Sequence, residues 1–408
     1  MSETVHIPQL RFPEFSGEWE DGKLGNYGNL INGLTYSPDN IVDDGLLVLR
    51  SSNVQNGQIY LNDNVYVNLD VDDAALTKED DILICVRNGS KRLIGKSTII
   101  NKNLPKSTHG AFMTVFRGES NKFISHWFHS SIYYKEVHKN LGATINSING
   151  SNLKKFKTIF PLKPEQQKIA AFLTAVDNKI EQLSKKQALL GSWKKGLMQQ
   201  IFSQAIRFKA DDGSAFPVWE EKNIVELAKT SIGLVTSMTP YYVDKGVPLI
   251  RNNDIFQNKI RKEKLIRLDY EFDQLNKNRR LFTNDIVTVH TGNIGASAVI
   301  DEELNGCQGF ATLNTRIKNQ NEISSSFLCW YYNSTRNIKY ALSMATGDGR
   351  SNYNLKDFNK ATIPVPSLPE QTKIAAFLTA ADNKIEQVGK QFDESKQFKK
   401  ALLQQMFV

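Results

Sequence analysis

Apolar residues recur at alternating steps of four and three along two stretches of this chain. In the first, Ile169, Leu173, Val176, Ile180, Leu183, Leu190, Leu197 and Ile201 keep the rhythm, with Gln187 and Lys194 at the two remaining steps. In the second, Ile374, Leu378, Ala381, Ile385, Val388, Phe392, Ser395, Lys399, Leu402 and Met406 occupy the same ten steps, and a lysine stands at the same place. This spacing is that of a coiled-coil seam and predicts two long helices. Pro164 and Pro369 suit a first helical position, and Glu165 and Glu370 complement the positive end of a helix dipole. Forty helical residues span about 60 Å, more than one small domain covers, so each stripe is expected to bury itself against the other. One helix leads from a first block to a second, and the other starts where the second block ends. The pair is therefore expected to be antiparallel, giving a dumbbell with approximate twofold symmetry.

The stripes belong to a duplication. Residues 164–182 return at 369–387 with only Gln167→Thr372 and Val176→Ala381 changed, a spacing of half the 408-residue chain. The blocks before them align in outline: Arg11-Phe12-Pro13 and Trp19 match Ala215-Phe216-Pro217 and Trp219, and Leu46 to Arg50 matches Val247 to Arg251. Short β-rich runs at 46–50, 81–86, 111–117, 247–251, 285–290 and 296–300, bounded by Gly, Asn and Asp, predict a compact mixed sheet in each block. One amphipathic helix per block, from Phe123 and from Phe327, should turn its aromatic residues inward. The expected fold class is mixed α/β, with two tandem α+β domains at 1–163 and 205–368 joined by helices at 164–204 and 369–408 in an antiparallel coiled coil.

Composition narrows the function classes. With 40% hydrophobic and 23% charged residues the chain is globular, and no run of about eighteen apolar residues offers a membrane span. The first residues lack the basic and apolar regions of a signal peptide, so a cytoplasmic location is expected. Cys85, Cys307 and Cys329 form no Cys-x-x-Cys and read as buried apolar residues. The net charge of +8 divides evenly, with 24 basic and 20 acidic residues in 1–204 and 27 and 23 in 205–408. A modest positive balance is compatible with a polyanion without requiring one.

The twin segments Pro161-Leu162-Lys163-Pro164-Glu165-Gln166-Gln167-Lys168-Ile169-Ala170 and Pro366-Ser367-Leu368-Pro369-Glu370-Gln371-Thr372-Lys373-Ile374-Ala375, each followed by Asp-Asn-Lys-Ile, resemble the specificity subunit of type I restriction–modification enzymes. The resemblance covers the whole chain. It implies two target-recognition domains that read the halves of a split, asymmetric site in double-stranded DNA, with the helices as spacer and docking surface. It also implies partners: two methyltransferase subunits, which use S-adenosylmethionine, and restriction subunits that translocate and cleave. By the same resemblance this chain holds no cofactor and is not an enzyme. A coiled-coil scaffold whose blocks bind proteins remains the alternative, and a nuclease with an unrecognised site a minor one.

Base edges are read by Arg or Lys on guanine and Asn or Gln on adenine, from loops at strand ends. In the first block that chemistry falls on Arg50 and Asn53 and on Arg87, Asn88, Lys91 and Arg92. In the second it falls on Arg251, Asn252 and Asn253, on His290, Thr291 and Asn293, and on Arg350 and Asn352. Arg50 and Arg251 could instead pair with nearby acids. The acidic residues of 63–81 should face away from phosphates, while Arg261, Lys262, Lys264, Arg267, Lys277, Arg279 and Arg280 make the second block the stronger source of salt-dependent affinity. Other motifs fail. Gly89 to Ser97 has five residues rather than four between the glycines of a phosphate loop, and His126-x-x-His129 lacks a third ligand nearby, so no metal site is expected. Glu220-Glu221-Lys222 lacks the upstream aspartate of a nuclease core, and no amino-methyltransferase motif is present.

Overall fold

The computed structural model describes residues 6–141, 146–345 and 351–408. The chain forms two units, Met1–Lys185 with Gly389–Val408, and Lys186–Val388. Each long helix contributes to both: Lys163–Phe202 gives its first part to the first unit and its last part to the second, and Leu368–Gln405 does the reverse.

The first unit has two four-stranded sheets. One is antiparallel, in the order Gly28–Asn32, Met113–Gly118, Ile82–Cys85, Ser97–Ile99. The other pairs Ser107–His109 in parallel with Leu46–Leu49, followed by Tyr66–Val67 and Ile41–Val42. The second unit repeats both, with Ala228–Ile232, Thr312–Ile317, Ile286–Val289 and Ser297–Val299 in one sheet and Gln308–Phe310, Val247–Arg251, Ile266–Leu268 and Tyr242–Val243 in the other. Two glycines hold each pair of sheets close. A Cβ on Gly33 would lie 2.1 Å from the Gly110 carbonyl oxygen, and one on Gly233 would lie 2.3 Å from that of Gly309.

Each predicted strand is present within a residue or two of its expected ends. The two-residue strands at Ile41–Val42 and Tyr66–Val67, and the ribbon of Glu20–Lys23 with Lys157–Phe160, escape sequence reading because they are too short or too polar to show alternation. The aromatic helices run Asn121–Trp127 and Ser325–Tyr332, with Phe123, Trp127, Phe327, Trp330, Tyr331 and Tyr332 buried as expected.

The long helices begin one residue before the expected prolines, at Lys163 and Leu368, which still leaves each proline in the first turn, where no N–H is needed. They also end before residues 204 and 408. Gln204 adopts φ 61°, a left-handed conformation that closes the first helix, while the second ends at Gln405 and Phe407 enters the core of the first unit. All twenty positions of the two stripes are buried or half-buried. In the first unit Ile169, Ala170 and Leu173 share a core with Leu402, Leu403 and Met406. In the second, Ile374, Ala375 and Leu378 share one with Met198, Ile201 and Phe202. The start of each helix thus packs on the end of the other, which is the expected antiparallel pairing.

Most of the repeated phrase now has a physical reason. Glu165 and Glu370, almost fully buried, receive two-pronged hydrogen bonds from Arg11 and Arg207. Sequence reading assigned these carboxylates to the helix dipole and missed the arginines. Gln166 and Gln371 each donate to the carbonyl oxygen five residues earlier, Pro161 and Pro366, over 2.8 Å. Thr174 bonds to His126, and Thr379 accepts from Trp330. Asp177 and Asp382 pair with Lys399 and Lys194, the two lysines that interrupt the apolar rhythm at matching steps. Each lysine therefore satisfies a repeat aspartate within its own unit.

His126 and His129 are core residues, in keeping with the lack of a third metal ligand near them in the sequence. Burial, with the Lys399 cation as the next cause, lowers His126 to about 3 and His129 to about 4. Both rings are neutral in the folded chain at neutral pH, whereas the unfolded chain takes up protons below about 6.5. Stability should be intact above that pH and fall as pH drops toward 4, by roughly 1.4 kcal/mol per pH unit for each ring at the steepest. Denaturant melts at pH 7 and pH 5 check this. Replacing the pair with the second repeat's residues, His126→Trp and His129→Asn, should lessen the fall, and an equal fall in both chains would contradict the assignment.

Candidate nucleic-acid interface

In each unit, three loops meet at one rim because the strands that deliver them are neighbours. In the first unit, the 3-10 turn Ser51–Asn53 follows the strand Leu46–Leu49, the loop 86–93 follows Ile82–Cys85, and the turn 110–112 connects Ser107–His109 to Met113–Gly118. Hydrogen bonds join them. The Asn88 amide donates to the Ser51 hydroxyl over 2.9 Å, and Val86 and Arg87 N–H donate to the Phe112 carbonyl over 3.0 and 3.1 Å. The Lys96 ammonium sits beneath, donating to the carbonyls of Ser51 and Val54, and burial lowers its pKa.

The predicted residues divide by role. Asn53 is fully buried; its side chain accepts from Arg50 N–H and donates to the Tyr60 and Asp63 carbonyls, which makes it a brace for its own loop. Arg50 donates to the Asp63 carbonyl and pairs with its carboxylate at 2.9 Å. Arg87, Lys91 and Arg92 are exposed and lie outside the ion pairs formed among the described residues, with Lys91 and Arg92 on a 3-10 turn, Lys91–Leu93.

The second unit builds the same rim from different side chains. Arg251 forks onto the buried Asp254, which raises the guanidinium pKa, so the alternative of a structural pair describes where both aligned arginines are held. Asn252 donates to the Ala311 carbonyl over 3.4 Å, and Asn253 is exposed. His290 and Thr291 are half-buried, Thr291 bonds to Asn352, and burial lowers His290. Asn293 is exposed. Arg350 lies outside the described residues.

Of the basic run in this unit, Arg261 and Lys264 border an open depression of about 730 Å³ with Arg251, Asp254, Phe256, Lys259 and Glu263. Lys262 is held by Asp301 and Glu303, Arg280 by the buried Asp273, and Arg267 and Arg279 donate to backbone carbonyls. Most of that run is therefore internal wiring. Sequence reading missed two exposed phenylalanines beside these basic groups: Phe112 faces Arg87, and Phe256 faces Arg261. Neither breaks a pattern of alternation, so only the packing displays them.

Among the described residues no helix is long and apolar enough to cross a membrane, and no group of three or more His, Cys, Asp or Glu side chains could hold a metal ion. The three cysteines are buried and unpaired.

Two tandem α/β units that present equivalent loops with different side chains make a duplicated protein, and comparison with known proteins gives the class. The chain matches the type I restriction modification DNA specificity domain twice, over residues 16–190 and 218–392, and belongs to that family. It is 26% identical over 379 residues to the type I restriction enzyme StySPI specificity subunit of Salmonella potsdam, covering 87% of this chain and 80% of that protein. To the putative MjaX specificity subunit of Methanocaldococcus jannaschii it is also 26% identical, over 96% and 93% of the two chains. The fold is shared with the crystal structure of a type I restriction–modification S subunit from M. genitalium, at TM-score 0.61 and 16% identity, over 98% of this chain and 99% of that one.

The division of roles at the rim has a measurable consequence. Replacing Lys91 and Arg92 together by alanine should leave the melting temperature within about a degree or two and weaken duplex binding, because exposed surface changes rarely exceed about 0.5 kcal/mol of stability. Asn53→Ala should instead lower stability by about 2 kcal/mol, since it leaves buried partners unmade. Thermal melts alongside binding at two salt concentrations check both, and the reverse pattern would exchange the assigned roles.

Proposed function

We propose that this chain is the DNA sequence-specificity subunit of a type I restriction–modification complex and reads a bipartite, asymmetric duplex target. The observation that carries this reading is the pairing of one duplicated framework with two dissimilar rims. The first unit's rim carries Arg87, Asn88, Lys91, Arg92 and Phe112, whereas the matching loops of the second carry His290, Thr291, Asn293 and Ala311, with no residue in the place of Phe112. Two identical readers would select a repeated half-site; two unlike readers select unlike halves.

Family membership favours this reading over a protein-binding scaffold. On this proposal the chain does no chemistry. It recruits two methyltransferase subunits, which hold S-adenosylmethionine, and restriction subunits that translocate and cleave, all in the cytoplasm. The long helices serve as spacer and docking surface, and base pairs between the half-sites go unread.

Footprinting of the chain bound to its methyltransferase should protect two short, dissimilar segments flanking a middle indifferent to sequence. Removing four residues from both long helices should alter the spacer length tolerated while leaving both half-sites as they were. Altered half-sites would reject the spacer role, and salt-insensitive failure to bind any duplex would favour the scaffold.

A further inference from the structure

One side chain on the first rim has a chemistry that neither the basic residues nor the asparagines share. Phe112 is 56% exposed, on the turn between Ser107–His109 and Met113–Gly118. A single exposed apolar residue is ordinary by itself. This one is fixed in place: its carbonyl accepts from both Val86 and Arg87, and the Arg87 guanidinium lies 5.6 Å from the ring centre. Exposed Lys91 and Arg92 come next on the same loop, so the ring stands within a surface that attracts phosphate. The matching turn of the second unit is one residue shorter: Ala311, with φ 52°, stands where Ala111 does, each N–H donating to a leucine carbonyl (Leu234 and Leu34), neighbouring Phe310 packs on its own unit's core, and no residue takes the place of Phe112.

A phenyl ring can meet duplex DNA in two ways. As a wedge it must slide between base pairs with both faces open to stacking. Arg87 already covers one face of Phe112, which disfavours that mode. The other way is apolar contact with a base edge, and in the major groove the apolar group on offer is the C5-methyl of thymine. Resting on the DNA-reading function proposed above, we propose that Phe112 contacts a thymine methyl in the half-site read by the first unit, with Arg87 holding the ring edge-outward. Phe112 is then a specificity determinant that the second unit lacks.

Deoxyuridine differs from thymidine only by that methyl group and supplies the test. The full chain in complex with its methyltransferase is bound to duplexes carrying its target, with each thymine replaced singly. For the natural chain, one replacement in the first half-site should weaken binding roughly fourfold, the worth of about one buried methyl group. Phe112→Ala should be indifferent to that same replacement, Phe112→Leu should retain part of the response, and replacements in the second half-site should affect all three chains alike. Indifference of the natural chain at every thymine of the first half-site would overturn the contact. So would an undiminished response in Phe112→Ala, which removes an exposed ring and leaves the core intact. Failure to prefer the target over unrelated duplex is read before any uridine is introduced and rejects the DNA-reading function itself, so the two failures are distinct.

Discussion

The structure depends on the burial of two apolar stripes that neither recognition block could cover alone. Each helix starts on its own block and ends on the other, so each unit draws its core from both ends of the duplication: Leu402 and Met406 complete the first, Met198 and Ile201 the second. At those junctions the polar groups are as constrained as the apolar ones. A carboxylate buried like Glu370 is tolerable because Arg207 and the Trp219 indole both donate to it. Removing one partner of such a pair typically costs about 3–5 kcal/mol. The same logic holds the arginine beside each helix start, Arg11 in one unit and Arg207 in the other.

With the frame held in this way, the rims are free to differ. Gly33 and Gly233 keep the paired sheets together in both units, whereas the loops these sheets deliver share little beyond an arginine that braces its own turn. Conserved geometry below and divergent chemistry above is what a recognition protein needs if its two targets differ while its partners stay the same. On the proposed function, affinity for phosphate and selectivity for bases come from different residues: in the first unit Lys91 and Arg92 supply charge, while Phe112 meets a base edge.

Much of this is legible in the sequence, and the limits are physical. The 4,3 rhythm and the near-verbatim phrase identify the helices, their seam and the duplication, because periodicity survives without knowledge of tertiary contacts. The strands are legible where a β-rich apolar run is bounded by turn residues, as at 247–251, and invisible where two residues suffice, as at Tyr66–Val67. Helix ends shift by a residue or more, since a cap such as left-handed Gln204 is set by how the chain leaves the helix and not by the seam. At the rim, residue type locates the loops but does not divide recognition from bracing. Asn53 and Asn88 look alike in sequence; one is buried at the foot of its own loop, and the other ties two loops together. The ion pairs Arg11–Glu165 and Lys399–Asp177 join residues far apart in the chain, and no local pattern announces them.

If two unlike rims on one duplicated frame read two unlike halves of a target, the modification this chain directs carries the same asymmetry. Modified-base sequencing of genomes from cells with and without the intact gene tests it most directly. The expected result is a set of gene-dependent modified bases lying in a motif of two dissimilar parts separated by a constant number of unspecified positions. A contiguous or palindromic motif, or no modification that depends on the gene, would contradict it.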